Sequence, residues 1–167
     1  GTGIPPMAVF GDGYRWYVSG IIHDETGFPS TNNPEMISAQ VKRLLNKVEN
    51  NRDDIESWEE YLTGDAEVLV IAIGLVARSA KAAIDTIRKE GKRVGLLRPI
   101  TVWPFPEHRI RELTKRAKTI VTCEMNEGQL SGMAAQVAGD MATVVPVTQN
   151  NGKIMTAGTI LAALQEV

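Results

Sequence analysis

The chain has 167 residues, 43% of them apolar and 23% charged, with a formal net charge of −2. A chain of this size buries roughly 70% of its unfolded surface, enough for one domain with a real core. The near-neutral balance gives no footing for nucleic acid or an anionic membrane, and no apolar run approaches the ~20 residues of a membrane span.

The chain opens Gly1-Thr2-Gly3 without an initiator Met and without the basic and apolar regions of a signal peptide. The expectation is a cytoplasmic protein, cut from a longer one or carrying a tag remnant at its start. Residues 1–63 hold many turn formers and most of the aromatics: Phe10, Tyr14, Trp16, Tyr17, Phe28, Trp58 and Tyr61. Residues 14–22 read as one extended segment, closed by the turn Thr26-Gly27-Phe28-Pro29. Asn33-Pro34-Glu35 reads as an N-cap with Pro at the first helical position. The helix behind it carries Met36, Ile37, Val41, Leu44, Leu45 and Val48 at spacings of three and four, then runs into the polar stretch 49–54. Residues 1–63 are therefore predicted to be an inter-domain arm and a helix that lean on something else.

From residue 64 the pattern alternates. Val68-Leu69-Val70-Ile71-Ala72-Ile73 is a continuous apolar run of the kind buried on both faces of a sheet. Gly74 turns the chain into a helix over 77–90, ended by Gly91 at C′. A strand over 93–97, a helix over 107–117 behind Pro106, a strand over 119–123 and a helix over 129–141 follow. A short strand over 144–147 and a helix over 159–165 close the chain. Alternation with short links predicts an α/β domain over 64–167, a three-layer αβα arrangement with a mostly parallel open sheet. Pro146 places the last strand at an edge or a strand end.

Several motifs suggest chemistry and are weighed against plainer readings. Gly11-Asp12-Gly13, with Asn32-Asn33 behind it, resembles a magnesium–thiamine diphosphate site. Its interval is short, the intervening segment reads as extended, and Asn33 already serves as an N-cap, so it is read as a turn. The turn after the strand 68–73 offers one glycine, Gly74, where a dinucleotide fingerprint needs three, although the helix N-terminus there could hold an anion. His23-Asp24-Glu25 alternate in direction and read as a solvated turn rather than metal ligands. His108 is expected at the surface. Cys123 is the only cysteine, which excludes an internal disulfide framework and a self-contained iron–sulfur site, and it reads as an inert core residue. No catalytic or metal-binding residue is assigned.

Two loops resist a purely structural reading. In 96–107 three prolines flank Arg98, Thr101 and two aromatics, and each X-Pro step forces extended backbone. In Glu124-Met125-Asn126-Glu127-Gly128-Gln129 an acid, an amide, a glycine and a glutamine precede a helix. Asn126 could cap that helix or meet a partner or ligand. Both loops leave strands at the carboxyl edge, where open α/β sheets place ligands and partners. Arg98, Thr101, Glu124, Asn126 and Gln129 are the candidate interface residues.

These loops, together with Gly74-Leu75-Val76-Ala77-Arg78-Ser79-Ala80 and the segment 18–27, resemble the α subunit of 2-oxoacid:ferredoxin oxidoreductases, nearest the 2-oxoglutarate branch (2-oxoglutarate synthase) with the 2-oxoisovalerate branch beside it. The resemblance implies a transketolase C-terminal-like domain. It implies a parent complex that makes acyl-CoA, CO2 and reduced ferredoxin from a 2-oxoacid and coenzyme A, using thiamine diphosphate, magnesium and iron–sulfur clusters. Its implied partners are the β subunit, the α subunit's own N-terminal domain and, through the complex, ferredoxin. None of those cofactors is expected in this piece, which organises the subunit interface and is not catalytic alone. The alternative is a stand-alone nucleotide- or coenzyme A-binding α/β module.

Overall fold

The computed structural model describes residues 4, 6–14 and 20–167. The chain forms two compact units, Gly1–Ile55 and Glu56–Val167. Most of the extended segment expected over 14–22 lies outside the described residues.

In the first unit Gly11-Asp12-Gly13 forms a turn. Asp12 N–H donates to the Val9 carbonyl (3.2 Å), and Asp12 Oδ2 accepts from Val9 N–H (3.4 Å). Asp24 organises a second turn, its Oδ1 accepting from Thr26 N–H (2.9 Å), the Thr26 hydroxyl (2.6 Å) and Phe28 N–H (3.1 Å). These bonds, the Thr26 hydroxyl first, lower the Asp24 pKa below its ordinary value. Helix α1 (Pro34–Glu49) starts where the cap motif places it, with Asn33 Oδ1 accepting from Met36 N–H (3.0 Å). It is amphipathic, yet none of its residues is buried. A short helix α2 (Arg52–Ile55) ends the unit.

The second unit is built on a five-stranded sheet. Its strands are β1 (Trp58–Tyr61), β2 (Val68–Ala72), β3 (Val94–Pro99), β4 (Thr119–Glu124) and β5 (Thr143–Thr148), in the order β1-β3-β2-β4-β5. Strands β2 to β5 are parallel, and β1 runs antiparallel to β3. The unit therefore begins at Glu56, not at residue 64 as the composition suggested, because β1 belongs to the sheet. Pro146 lies in β5, an edge strand, where a missing donor costs least.

Alternation along the strands separates two cores. Val70, Ala72, Leu96, Val121 and Cys123 face one side and pack against α3 (Val76–Lys89) and α6 (Ala157–Gln165) through Ala80, Ile84, Ile87, Ile160 and Leu164. Leu69, Ile71, Leu97 and Ile120 face the other, against α4 (Glu107–Leu113) and α5 (Gln129–Ala138) through Ile110, Leu130, Ala134 and Val137. All these residues are essentially solvent-excluded. The result is the expected three-layer αβα architecture. Helix α4 ends earlier than predicted, because the buried Thr114 hydroxyl donates back to the Ile110 and Arg111 carbonyls, both at 3.0 Å. The last turn expected of α5 is a 3₁₀ turn over Gly139–Met141.

The chain passes from β2 to β3 on one side, then crosses β2 to reach β4 on the other. The winding direction thus reverses between β2 and β4, and the carboxyl ends of these strands open at that switch.

Candidate functional site

Four loops meet the carboxyl edge of the sheet, following β2, β3, β4 and β5. The first begins at Gly74, whose φ of +52° lets a buried strand turn directly into α3. It leaves Leu75 48% exposed. The second leaves β3 at Pro99 and is tied to the start of β1, Ile100 and Thr101 N–H both donating to the Ser57 carbonyl (2.9 and 3.1 Å). Its first half presents Ile100, Val102 and Trp103 outward, Trp103 being 61% exposed. Its second half, Pro104, Phe105 and Pro106, is buried. Beside it, His108 meets the Trp58 ring edge-on at 5.3 Å between centroids, with its Nδ1 3.1 Å from Glu56 Oε1.

The third loop, 125–129, is closed by side-chain hydrogen bonds. Glu124 is fully buried at the end of β4. Its Oε2 accepts from Leu130 N–H (2.6 Å), and its Oε1 accepts from Ser131 N–H (2.9 Å) and from the Ser131 hydroxyl. Ser131 Oγ is also 2.7 Å from Thr122 Oγ1. The carboxylate therefore sits on the first amides of α5, where free N–H groups and the helix dipole favour negative charge. Asn126 Oδ1 accepts from Gly128 N–H (2.9 Å) and Gln129 N–H (3.2 Å), the capping alternative for that residue. The loop leaves Met125 40% exposed. From the β5 loop, Asn150 Nδ2 donates to Glu127 Oε1.

The five candidate residues thus separate. Thr101 and Asn126 lie half-buried at the edge, and Gln129 is exposed there. Glu124 was expected to face a partner, and instead its side chain is spent inside the domain. Arg98 points its Nη1 to Glu59 Oε2 of β1 (2.9 Å), directly opposite in the β1–β3 register, while its Nε is buried without a hydrogen-bond partner among the described residues. What sequence reasoning missed is the apolar set Leu75, Ile100, Val102, Trp103 and Met125, all at least 38% exposed on three loops of one edge. The signal was present as apolar side chains in proline-stiffened or glycine-started loops, where no core face is available to them.

Cys123 lies on the buried face of β4, and burial pushes its thiol up to about 12, the neighbouring Glu124 charge adding to the effect. Burial and the raised pKa both disfavour the thiolate, the form that attacks electrophiles or binds metals. Among the described residues no three His, Cys, Asp or Glu side chains converge on a common point, and no helix is long and apolar enough to cross a membrane.

Comparison with known proteins is consistent with this architecture. Residues 66–160 match the pyruvate:ferredoxin oxidoreductase core domain II family. The chain is 41% identical over 95% of its length to the 2-oxoglutarate synthase subunit KorA of Methanothermobacter thermautotrophicus, and spans 42% of that relative. Among solved structures, a 2-oxoglutarate:ferredoxin oxidoreductase from Magnetococcus marinus, with 2-oxoglutarate, coenzyme A and succinyl-CoA bound, aligns over 99% of this chain and 29% of its own, with a TM-score of 0.73 at 23% identity. A split-gene transketolase, an inactive beta4 tetramer, aligns over 66% of this chain and 41% of its own, with a TM-score of 0.58 at 19% identity. The two structures share the fold, and the sequence match carries the family: the chain belongs to the pyruvate:ferredoxin oxidoreductase core domain II family.

Proposed function

We propose that this chain is the C-terminal part of the α subunit of a 2-oxoacid:ferredoxin oxidoreductase of the 2-oxoglutarate type, and that the carboxyl edge of its sheet packs against the β subunit. The observation that carries the interface is the clustering of Leu75, Ile100, Val102, Trp103 and Met125, exposed on three loops at one edge. Apolar groups grouped in this way mark protein–protein contact, and a large aromatic such as Trp103 commonly carries a large share of the binding energy. The KorA likeness along 95% of the chain supports the choice of parent enzyme.

Such an enzyme would make acyl-CoA, CO2 and reduced ferredoxin from a 2-oxoacid and coenzyme A. Thiamine diphosphate with magnesium would supply the decarboxylation chemistry and iron–sulfur clusters the electron transfer. Among the described residues, the side chains of this chain do not fit an iron–sulfur cluster or a magnesium ion. A cluster needs several thiolates, and the one cysteine is buried and held protonated. Asp12, in the Gly-Asp-Gly turn, has no second and third acidic, His or Cys partner among the described residues. The cofactors are therefore assigned to other parts of the complex, with ferredoxin reached through the complex. This chain's own role is to shape the surface on which the β subunit sits.

The rival reading, a stand-alone nucleotide- or coenzyme A-binding module, would use the Gly74 turn or the 124–129 loop, and at the second of these the Glu124 carboxylate already occupies the α5 amides. Isothermal calorimetry separates the two readings. The chain is expected to bind the purified β subunit and to give no heat with NAD, coenzyme A or thiamine diphosphate alone. Trp103→Ala should weaken the β-subunit complex by about 2 kcal/mol, roughly thirtyfold. Micromolar binding of a nucleotide together with silence toward the β subunit would reverse the assignment.

A further inference from the structure

We propose that Glu124 is a positioning residue whose buried carboxylate holds the 125–129 loop in the form that docks on the β subunit; this rests on the interface reading above. The side chain of the residue before the loop grips the two residues after it. Glu124 Oε2 receives Leu130 N–H at 2.6 Å, and Oε1 receives Ser131 N–H at 2.9 Å together with the Ser131 hydroxyl. Thr122, two residues earlier in β4, stands 2.7 Å from that hydroxyl and fixes it in turn. On the backbone, Gln149 N–H donates to the Glu124 carbonyl at 3.0 Å, tying β4 to the β5 loop. Within the loop, the Asn126 carboxamide oxygen takes up the Gly128 and Gln129 amides.

Gly128 at the helix N-cap has φ +101°, a backbone form that disfavours a capping Ser or Asp, so the acceptors for these helix amides come from Glu124 instead. A carboxylate at zero exposure costs desolvation, and among the described residues no cation is hydrogen-bonded to it; two amides, a hydroxyl and the helix dipole offset that cost. What this arrangement adds is a single loop geometry. The Asn126 and Glu127 side chains are engaged within the domain, Gln129 stays exposed, and Met125 is left outward at the edge that also carries Trp103. A loop ordered before association gives up little conformational freedom on binding.

The test compares the 167-residue chain with Glu124→Gln and Ser131→Ala. Glu124→Gln keeps the side-chain volume but turns an NH2 group toward one of the two amides. Ser131→Ala removes one donor and leaves both amide bonds, so it serves if the first variant fails to fold. Two readouts are taken: amide hydrogen exchange over 125–131 in the free chain, and association rate and affinity for the purified β subunit. The proposal expects faster exchange at Leu130 and Ser131, an affinity loss of about tenfold in Glu124→Gln carried largely by the association rate, and a smaller change of the same sign in Ser131→Ala. Faster exchange with unaltered binding overturns the positioning role and leaves the interface intact. Unchanged exchange overturns the clasp itself. A wild-type chain that does not bind the β subunit overturns the interface reading, and the docking role with it, while the exchange data still report on the clasp.

Discussion

Gly95 in β3 has no room for a side chain. A Cβ placed there would lie 2.7 Å from the Leu62 carbonyl oxygen and 2.8 Å from Thr63 Cα, both backbone atoms that cannot rotate away. Gly95→Ala is expected to destabilise the chain by about 2 kcal/mol, seen as a lower urea midpoint with an unchanged slope. Cys123 makes a second residue-level prediction. Its thiol ionises near 9 when free and near 12 in the fold, so folding favours the protonated form. That stability is fully present below pH 9 and falls as pH rises from 9 toward 12. Native protein at pH 8 should resist iodoacetamide, and urea-unfolded protein should react at once. Only one of the two was readable beforehand. The inert, buried cysteine followed from an apolar strand, whereas the need for glycine at 95 comes from a loop 32 residues earlier in the chain, which no local pattern reports. Glu124 is the sharper case: an acid at a strand end reads as a surface contact, and only the three-dimensional return of α5 shows where its charge goes.

At the scale of elements, β1 pairs with β3, packs Trp58 and Tyr61 on the two cores, and adds ion pairs through its two acids. Glu59 faces Arg98 across the β1–β3 register, and Glu60 accepts from Arg109 of α4 through both oxygens (2.6 and 2.8 Å). Arg109 also reaches Glu112 (2.7 Å). The Arg109 guanidinium is the main reason that the Glu60 pKa falls to about 2, with Thr63 and Trp58 adding hydrogen bonds. Because the folded value is depressed, this stabilisation is present above pH 4.5 and is lost as pH falls toward 2. Arg109→Ala should cost about 1 kcal/mol at neutral pH, flatten the acid limb between those values, and speed amide exchange in β1. The same chemistry explains why β1 was not foreseen. Trp58-Glu59-Glu60-Tyr61 places two acids in the centre of a four-residue run, and their partners, Arg98 and Arg109, are more than 35 residues away. The parallel strands were legible because burial on both faces demands continuous apolar runs, which need no distant partner to be recognised.

For the whole molecule, the two ends of the sheet differ in character. The carboxyl edge carries Trp103, Ile100, Val102, Leu75 and Met125 in the open, while the strands' amino ends begin behind turns holding Arg93, Lys118 and Asp140. In the other unit α1 is amphipathic and keeps Val41, Leu44 and Leu45 about half exposed. The three-layer class could be read from the alternation of elements, and the position of the proline loop at the carboxyl edge from the strand that precedes it. Which side chains that edge exposes could not, because their exposure depends on how each loop folds back: Phe105 goes inward and Trp103, two residues before it, goes outward. The most direct test of that edge is hydroxyl-radical footprinting of the chain with and without the β subunit. Met125 at the carboxyl edge and Met141 at the amino edge are exposed to nearly the same degree, 40% and 38%, so each controls for the other. The account predicts that the β subunit protects Trp103 and Met125 from oxidation and leaves Met141 unchanged; protection of Met141 with Trp103 and Met125 still fully oxidised would contradict it.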